Sequence, residues 1–471
     1  MATPLAESAP RRRDGVAMLA VAACLAALVG AAHAPALSAA FQFDDYAVIV
    51  DNPAVRSLVA WWASMPGIRP LLKLSYALNH VAWPGPLGFH AVNLGIHLLN
   101  SLLAWRLAEH WLPRLGLHAP NAAALAALLF ALHPATTEAV AYASGRSISL
   151  AATFMLAAWL ADARFDTTRQ RWSIASPLLF ALALGVRETS LVVPLAFVLL
   201  AICAPSGETR DALVRRHAGH VLVVLTALGA FLALPGYQHF FEVSLGTRGL
   251  ATQIALQLEA QAYLFVHPLL GLRTNIDPPV QAVGAVASPI VVAVLLATLA
   301  LAALRLRRHW PWFAFAIGWY FLMLAPSNSL LPRLDAANDR HLYLALLGPA
   351  WLLVGLLSTW RRPQPAHALT ALLLGVLGIA TWLRTFDYRS EIALWTASLV
   401  TAPANARAWT NLGYAWQQAG DNTRARDAWL CALAFDPRAE QAILNLDSFG
   451  GYPSHVPRDL RACNAAGFDG P

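Results

Sequence analysis

Two adjacent carboxylates, Asp44 and Asp45, follow the first long apolar stretch of the chain, residues 16–34. Three arginines at 11–13 precede that stretch, and basic residues are retained on the cytoplasmic side of a membrane. The stretch is long enough to cross a bilayer, so it should deliver both acids to the outer surface. Carboxylates beside lipid are costly unless they are used, and an adjacent pair there suits a general base or a cation ligand.

Charged side chains also stand at the predicted outward ends of the later apolar stretches. Glu138 and Arg146 are about two helical turns apart, so each needs another partner or a ligand. Arg187 and Glu188 form a turn that suits either an ion pair at a helix junction or a functional pair. Arg69, taken alone, fits an interfacial anchor whose guanidinium snorkels to the headgroups.

The last long outer loop adds four more charges at the same predicted face: Arg333, Asp335, Asp339 and Arg340. Arginine carries a planar fork of donors that can clamp a phosphate. A bundle that gathers such carboxylates and arginines at one membrane face suits a substrate with an anionic headgroup on a lipid tail.

Histidines are the residues that would bring a metal ion into this region. His90, Asn93 and His97 lie at i, i+3 and i+7 and share one helical face, and His133 opens the second outer turn. Hydrogen bonding between helices is favoured over metal ligation, because two histidines without a third ligand do not make a zinc site. The sequence therefore predicts no metal cofactor, with a divalent cation at the aspartate pair left as an alternative.

Composition indicates the class of protein that must position these groups. The chain of 471 residues is 58% hydrophobic and 13% charged with a mean hydropathy of +0.52, whereas a soluble domain carries roughly a quarter charged residues. A polytopic membrane protein is therefore expected, with the bilayer as its surroundings. The net charge of +7 comes from arginine clusters between apolar stretches, which indicates topology rather than nucleic-acid binding. The 17 tryptophans suit interfacial belts.

About eleven spans are predicted, with the N-terminus inside and the C-terminus outside. They lie at about 16–34, 88–111, 120–134, 138–161, 173–186, 188–204, 217–235, 287–305, 311–326, 341–360 and 367–384. Residues 253–271 carry glutamines at helical spacing. They are interpreted as an amphipathic helix on the outer surface, because counting them as a span would put the later arginine clusters outside.

The C-terminal part repeats with a period of 34 residues, which is the tetratricopeptide period. Matching pairs at this separation are Trp395 and Trp429, Leu399 and Leu433, Pro403 and Pro437, Asn411 and Asn445, and Leu412 and Leu446. We therefore predict three regions: a membrane domain at 1–387, a small α-solenoid at 388–449 and a tail at 450–471. Cys431 and Cys463 would pair if this end faced an oxidising compartment, which the sequence does not establish.

Several motifs together resemble a known family. They are FxFDD in the first outer loop, RPL.KLSYALN, FHxVNLxxHLLN, HPxxTEAVAYxSGR, the Arg-Glu turn, DRHLYL and the C-terminal repeats, in that order. The chain resembles bacterial tetratricopeptide-containing membrane glycosyltransferases. These are related to the transmembrane O-mannosyltransferases that modify cadherins and to the C-type glycosyltransferase superfamily, which includes the protein O-mannosyltransferases.

The resemblance implies a polyprenyl-phosphate sugar donor, an outward-facing site and inverting transfer to a hydroxyl of a protein or glycan acceptor. Asp44 or Asp45 would be the base. The implied substrate-binding residues are Arg69, His90, His133, Glu138, Arg146, Arg187, Glu188, Asp339 and Arg340. The expected location is a bacterial inner membrane, with the active site and the repeats on its outer side, where the repeats would bind the acceptor or a partner protein.

Three departures from the family pattern bear on activity. Ile148 stands where relatives often have an aspartate. Arg187-Glu188 replaces a common Lys-Glu, and Asp339-Arg340 replaces a common Glu-Arg, but both replacements keep the charge. The change at Ile148 is the basis of the alternative function, a catalytically inactive membrane anchor that presents the repeats for protein binding.

Overall fold

The chain folds into α-helices joined by short loops and 3₁₀ turns. The computed structural model describes residues 10–165, 172–266, 269–270, 274–278, 280, 289–333, 335–360, 363–448 and 463. The helices in this part are α1 Pro10–His33, α2 Leu58–Ala63, α3 Pro70–Ala82, α4 Pro86–Arg114, α5 Ala122–Ala131, α6 Thr137–Ala141, α7 Arg146–Ala163, α8 Ala175–Val186, α9 Val193–Cys203, α10 Arg210–Ala233, α11 Pro235–Gly246, α12 Leu250–Val266, α13 Pro289–Leu306, α14 Pro311–Leu324, α15 Leu342–Ala345, α16 Leu347–Ser358, α17 Pro363–Phe386, α18 Glu391–Thr401, α19 Ala406–Gln418, α20 Asn422–Phe435 and α21 Glu440–Ser448. No strand occurs among these residues, so the described chain is all-α as predicted.

The protein is a multi-pass membrane protein by the length and composition of its helices. Five described segments are long and apolar enough to cross a bilayer: Met18–Ser38, Pro86–Arg114, Arg210–Ala233, Pro289–Leu306 and His367–Arg389. Two bent pairs raise the number to seven if each pair is one span, and they bend by 60° near residue 133 and by 53° near residue 346. The predicted count of about eleven also includes shorter apolar helices and is not confirmed.

Tryptophans fill the centre of the membrane domain. The rings of Trp111, Trp159, Trp319 and Trp351 are fully buried, and their centroids lie 4.8–6.3 Å apart. Trp159 and Trp319 donate their indole N–H groups to backbone carbonyls at 3.1 and 2.8 Å. These four rings therefore form a packed core, and the interfacial belts suggested by the tryptophan content stay a prediction for the other tryptophans.

Helix α12 corresponds to the predicted amphipathic segment and is 17 residues long. Its polar face is buried against the loop that follows α14: Gln253 donates to the carbonyls of Ser329 and Leu331, and Gln257 donates to that of Ala336. The glutamines at helical spacing therefore hold the loop after α14 in place, because backbone carbonyls buried between helices need donors.

The C-terminal helices α18 to α21 pack against one another through residues from the 34-residue pattern. Trp395, Trp409 and Trp429 are fully buried. A Cβ on Gly413 would lie 2.4 Å from the indole nitrogen of Trp429, so only glycine lets α19 and α20 approach this closely. Cys431 and Cys463 form a disulfide with their Cα atoms 5.6 Å apart. The tetratricopeptide solenoid and the domain boundaries stay predictions, and the tail at 450–471 lies outside the described residues except for Cys463.

Candidate active site

A cavity of about 380 Å³ lies where the loop after α1, the 186–188 turn, α11 and the loop after α14 meet. Apolar side chains line part of the cavity, among them Leu72, Tyr76, Phe240 and Val243. The lining also holds four guanidinium groups and two carboxylates: Arg69, Arg187, Arg333, Arg340, Asp44 and Asp335. An apolar surface beside a basic one fits a ligand that joins a lipid tail to an anionic head.

The two adjacent aspartates have different surroundings. Asp44 is partly exposed and lines the cavity, and its backbone N–H donates to the Tyr142 hydroxyl at 2.9 Å. Asp45 is fully buried, and its carboxylate accepts the backbone N–H groups of Gln42 at 3.1 Å and Ser144 at 2.7 Å. Asp44 is therefore accessible from the cavity, whereas Asp45 joins the loop after α1 to the 143–145 turn.

The environment of Asp45 also fits a structural role. Burial raises its pKa to about 7, although the N–H donors of Ser144 and Gln42 pull it down. The contact between Asp45 and the 143–145 turn depends on Gly145, because a Cβ there would lie 2.3 Å from the Glu138 carbonyl oxygen. Glycine thus lets the turn lie directly on α6 and aims the Ser144 N–H at the carboxylate.

Glu188 holds two of the cavity arginines. It forms a bidentate pair with Arg69, whose Nε and Nη2 lie 2.9 and 2.5 Å from the carboxylate oxygens, and it lies 3.7 Å from Arg333. Burial and the nearby positive charges lower the pKa of Arg333, while Glu188 opposes that shift. Arg69 therefore lines the cavity as part of an ion pair, and it is not the snorkelling anchor that was considered from the sequence.

Arg340 is shared between two carboxylates. Its Nη1 lies 3.3 Å from Glu138 Oε1, and its Nη2 lies 3.7 Å from Asp335 Oδ2. Both distances are longer than a charge-assisted hydrogen bond, which is about 2.7–2.9 Å. The guanidinium thus retains donors for a ligand in the cavity, and Glu138 orients it from behind.

Arg187 differs from the other three arginines of the cavity. Its side chain is 8% exposed, and its Nη1 donates to the Ser147 hydroxyl at 2.9 Å. Within the described part of the chain it forms no ion pair within 4.0 Å. A buried charge without a directly paired carboxylate is unfavourable, so this guanidinium is a strong candidate for binding an anion.

Arg146 does not line the cavity. It is fully buried, with Nε donating to Asn93 Oδ1 at 2.7 Å and Nη2 donating to Asn79 Oδ1 at 2.6 Å. The rings of Tyr76 and Phe89 lie 5.1 Å from its guanidinium carbon. The sequence indicated that Arg146 needs a partner. Its partners are side-chain amides and aromatic rings of α3 and α4, so Arg146 joins these two helices to α7.

The remaining predicted site residues lie behind the cavity wall. The His133 ring nitrogen Nε2 lies 3.0 Å from the Leu269 carbonyl, and His90 is fully buried without a hydrogen-bond partner on either ring nitrogen. Asp339 accepts the backbone N–H of Asn275 at 2.6 Å and the Tyr263 hydroxyl at 3.2 Å. Asn93 and His97 bind different partners, so the helical face predicted from spacing serves packing between helices.

Some cavity residues carried no clear sequence signal. Phe240, Ser244 and Thr247 come from α11 and the turn after it, a stretch without charge spacing or a recognisable motif. Ile148 lines a separate small space of about 50 Å³ together with Arg187 and Arg340. An isoleucine at this position supplies no carboxylate to either guanidinium. Within the described residues, no group of three or more His, Cys, Asp or Glu side chains is arranged to hold a metal ion.

Comparison with known proteins identifies relatives that are all named for one activity. The chain is similar to protein O-mannosyl-transferases. It is 36% identical to Tmtc1 of Drosophila melanogaster over 143 residues, which are 30% of this chain and 16% of that protein. It is 24% identical to F38B6.6 of Caenorhabditis elegans over 437 residues, 85% of this chain and 60% of the relative, and 35% identical to TMTC1 of Mus musculus over 224 residues, 40% and 23%.

The chain covers less than two thirds of the length of each of these relatives. They are animal proteins, so the expected bacterial origin is not shown by them. No family model and no solved structure matches the chain.

Proposed function

We propose that the protein is a membrane glycosyltransferase that moves mannose or a similar hexose from a polyprenyl-phosphate donor to a hydroxyl of a protein or glycan acceptor. The activity for which the relatives are named supports sugar transfer, and the cavity supports the donor class. Its apolar wall suits the first units of a polyprenyl chain, and its four arginines suit the phosphate. The bacterial inner membrane, about eleven spans and an outer tetratricopeptide solenoid belong to the same proposal.

The proposal rests mainly on the environment of the Arg187 side chain. A buried guanidinium with a single hydroxyl partner lowers stability, unless an anion occupies the cavity during function. Arg340 is the second phosphate ligand, because its two carboxylates are too distant to use all of its donors. Arg69 and Arg333, held by Glu188, set the positive field around the phosphate.

Asp44 is the base in this proposal because it lines the cavity. The acceptor oxygen attacks the anomeric carbon, the bond from that carbon to the phosphate oxygen breaks, and Asp44 takes the acceptor proton. The leaving phosphate keeps the bonding electron pair, and the two arginines stabilise its charge. Attack opposite the leaving group inverts the anomeric centre. The four guanidinium groups would repel a divalent cation, so the arginines take the role of a metal.

Sugar transfer by the purified full chain tests the proposal. The protein in detergent micelles is incubated with radiolabelled mannosyl-phosphoryl polyprenol and an acceptor lysate, and label is followed into protein and into free sugar. Wild-type protein should transfer label, and Arg187→Ala should lower the rate by about 10²-fold or more, as expected for loss of one charge-stabilising donor. Arg106→Ala is the matched control, because Arg106 pairs with Glu109 at 2.5 Å outside the cavity. Absence of transfer or sugar release with any polyprenyl-phosphate sugar would favour the inactive anchor.

A further inference from the structure

One arginine of the C-terminal helices joins two loops of the membrane domain. Arg407 is the second residue of α19, and its Nε donates to Asp277 Oδ2 at 2.8 Å. Its Nη1 and Nη2 each donate to Asp335 Oδ1 at 2.9 Å. Asp277 follows α12 and Asp335 follows α14, so a single guanidinium holds segments that are far apart in sequence.

Asp335 continues this connection into the cavity. Its Oδ1 is bound to Arg407, and its Oδ2 lies 3.7 Å from Nη2 of Arg340. Asp335 and Arg340 both line the cavity. The Asp335 carboxylate thus contacts Arg407 of the C-terminal helices with one oxygen and lies near Arg340, a proposed phosphate ligand, with the other.

Other contacts show that α18 and α19 are joined to the cavity wall beyond this ion pair. Asn275 donates its side-chain amide to the Ser398 carbonyl at 3.0 Å, and its backbone N–H donates to Asp339, the neighbour of Arg340. Glu391 at the start of α18 accepts the backbone N–H of Phe43, the neighbour of Asp44, at 2.6 Å. The repeat region therefore contacts residues adjacent to both proposed reacting groups.

We propose that Arg407 is a positioning residue, which keeps Asp335 from neutralising Arg340 and so keeps Arg340 available to the donor phosphate. This inference rests on the proposed function. The Arg407 side chain is 47% exposed, and ion pairs at such exposure add little stability. The consequence of the pair is geometric. Without Arg407, the Asp335 carboxylate is free to close the 3.7 Å gap and occupy the donors that would bind phosphate.

Binding of a polyprenyl monophosphate to the full chain in detergent micelles tests this inference without requiring turnover. Arg407→Ala should weaken binding about five- to ten-fold, which is in the lower range of couplings between sites. Arg407→Lys should restore part of the affinity because it keeps a charge near Asp335. Arg426→Ala is the control: Arg426 is an exposed arginine on α20 and does not line the cavity. Gel filtration and thermal unfolding establish that each variant is folded.

A double variant separates positioning from a simple loss of structure. If Asp335 is the group that Arg407 restrains, then Asp335→Asn should suppress the effect. Arg407→Ala/Asp335→Asn should bind within about two-fold of Asp335→Asn alone, which is the scatter expected for independent sites. Equal binding by wild-type and Arg407→Ala overturns the inference, as does a full loss that persists in the double variant. No binding of polyprenyl phosphate by the wild-type protein overturns the proposed function, and with it this role of Arg407.

Discussion

Substituting the two adjacent aspartates one at a time separates the proposed base from its structural neighbour. Both changes, Asp44→Asn and Asp45→Asn, remove one carboxylate and keep the side-chain size. Asp44 lines the cavity, whereas Asp45 is fully buried and accepts two backbone N–H groups. The variants are therefore matched in chemistry and differ in what the carboxylate contacts.

Asp44→Asn should lower the rate of transfer by about 10²- to 10⁴-fold, the usual contribution of a positioned general base. This corresponds to about 3–5 kcal/mol in the activation free energy. Thermal stability should stay close to that of the wild-type protein, because the Asp44 side chain is partly exposed. The donor affinity should change much less than the rate, since the phosphate is held by arginines.

Asp45→Asn should act on folding instead. One of its two N–H donors, from Gln42 or Ser144, would face an amide NH₂ and lose its acceptor, at a cost of about 1–3 kcal/mol near neutral pH. The change also alters the pH dependence of stability. Because burial raises the Asp45 pKa to about 7, its favourable contribution is complete below the ordinary aspartate pKa and is lost as the pH rises through about 7. The stability of Asp45→Asn should therefore not show this fall as the pH rises through about 7.

The assay measures initial rates of label transfer from mannosyl-phosphoryl polyprenol, together with thermal unfolding in detergent between about pH 3 and pH 8, the range that spans the ordinary and raised aspartate pKa. Asp44→Asn with more than about a tenth of wild-type turnover would rule out Asp44 as a base of ordinary strength. A folded Asp45→Asn protein of wild-type stability that has lost transfer would reverse the assignment. Near-normal turnover in both variants would place the base elsewhere.

Three further predictions concern residues beside the cavity. Arg187→Met should lower the rate of transfer by about 10²-fold or more, as expected for Arg187→Ala, and yet keep or raise the unfolding temperature. It removes a buried charge that has no ion-pair partner among the described residues, so a marked fall in stability would contradict this reasoning. Arg146→Met should instead destabilise the protein by about 3 kcal/mol or more, seen as a lower unfolding temperature, since two buried asparagine oxygens lose their donor; unchanged stability would refute the packing role. Ile148→Asp should weaken binding of polyprenyl phosphate, because the new carboxylate would share a small cavity with Arg187; stronger binding would show that Ile148 limits the native site.

The sequence was sufficient to predict the class of the protein. Hydrophobic periodicity predicts helices because the bilayer allows few other structures, and the orientation inferred from the arginine clusters stays a prediction. The span count is not confirmed, since several apolar helices are shorter than a bilayer and two segments are bent. The 34-residue spacing located the C-terminal helices, but it did not identify the residues that hold them in place. Arg407 and Asn275 join these helices to the cavity wall through contacts between distant segments.

Only the tertiary structure decided which charged residues face the cavity. Adjacent residues such as Asp44 and Asp45 share composition and spacing, and the direction of each side chain depends on a loop fixed by Ser144 and Gly145 about a hundred positions away. Arg146 and Arg187 both stand near the ends of apolar stretches. Arg146 donates hydrogen bonds to the side chains of two asparagines, whereas Arg187 donates to a serine hydroxyl. The sequence shows that each of these buried charges needs a partner. Which residue becomes the partner depends on which helices pack together, because the free-energy cost of burying an unpaired charge depends on the groups around it.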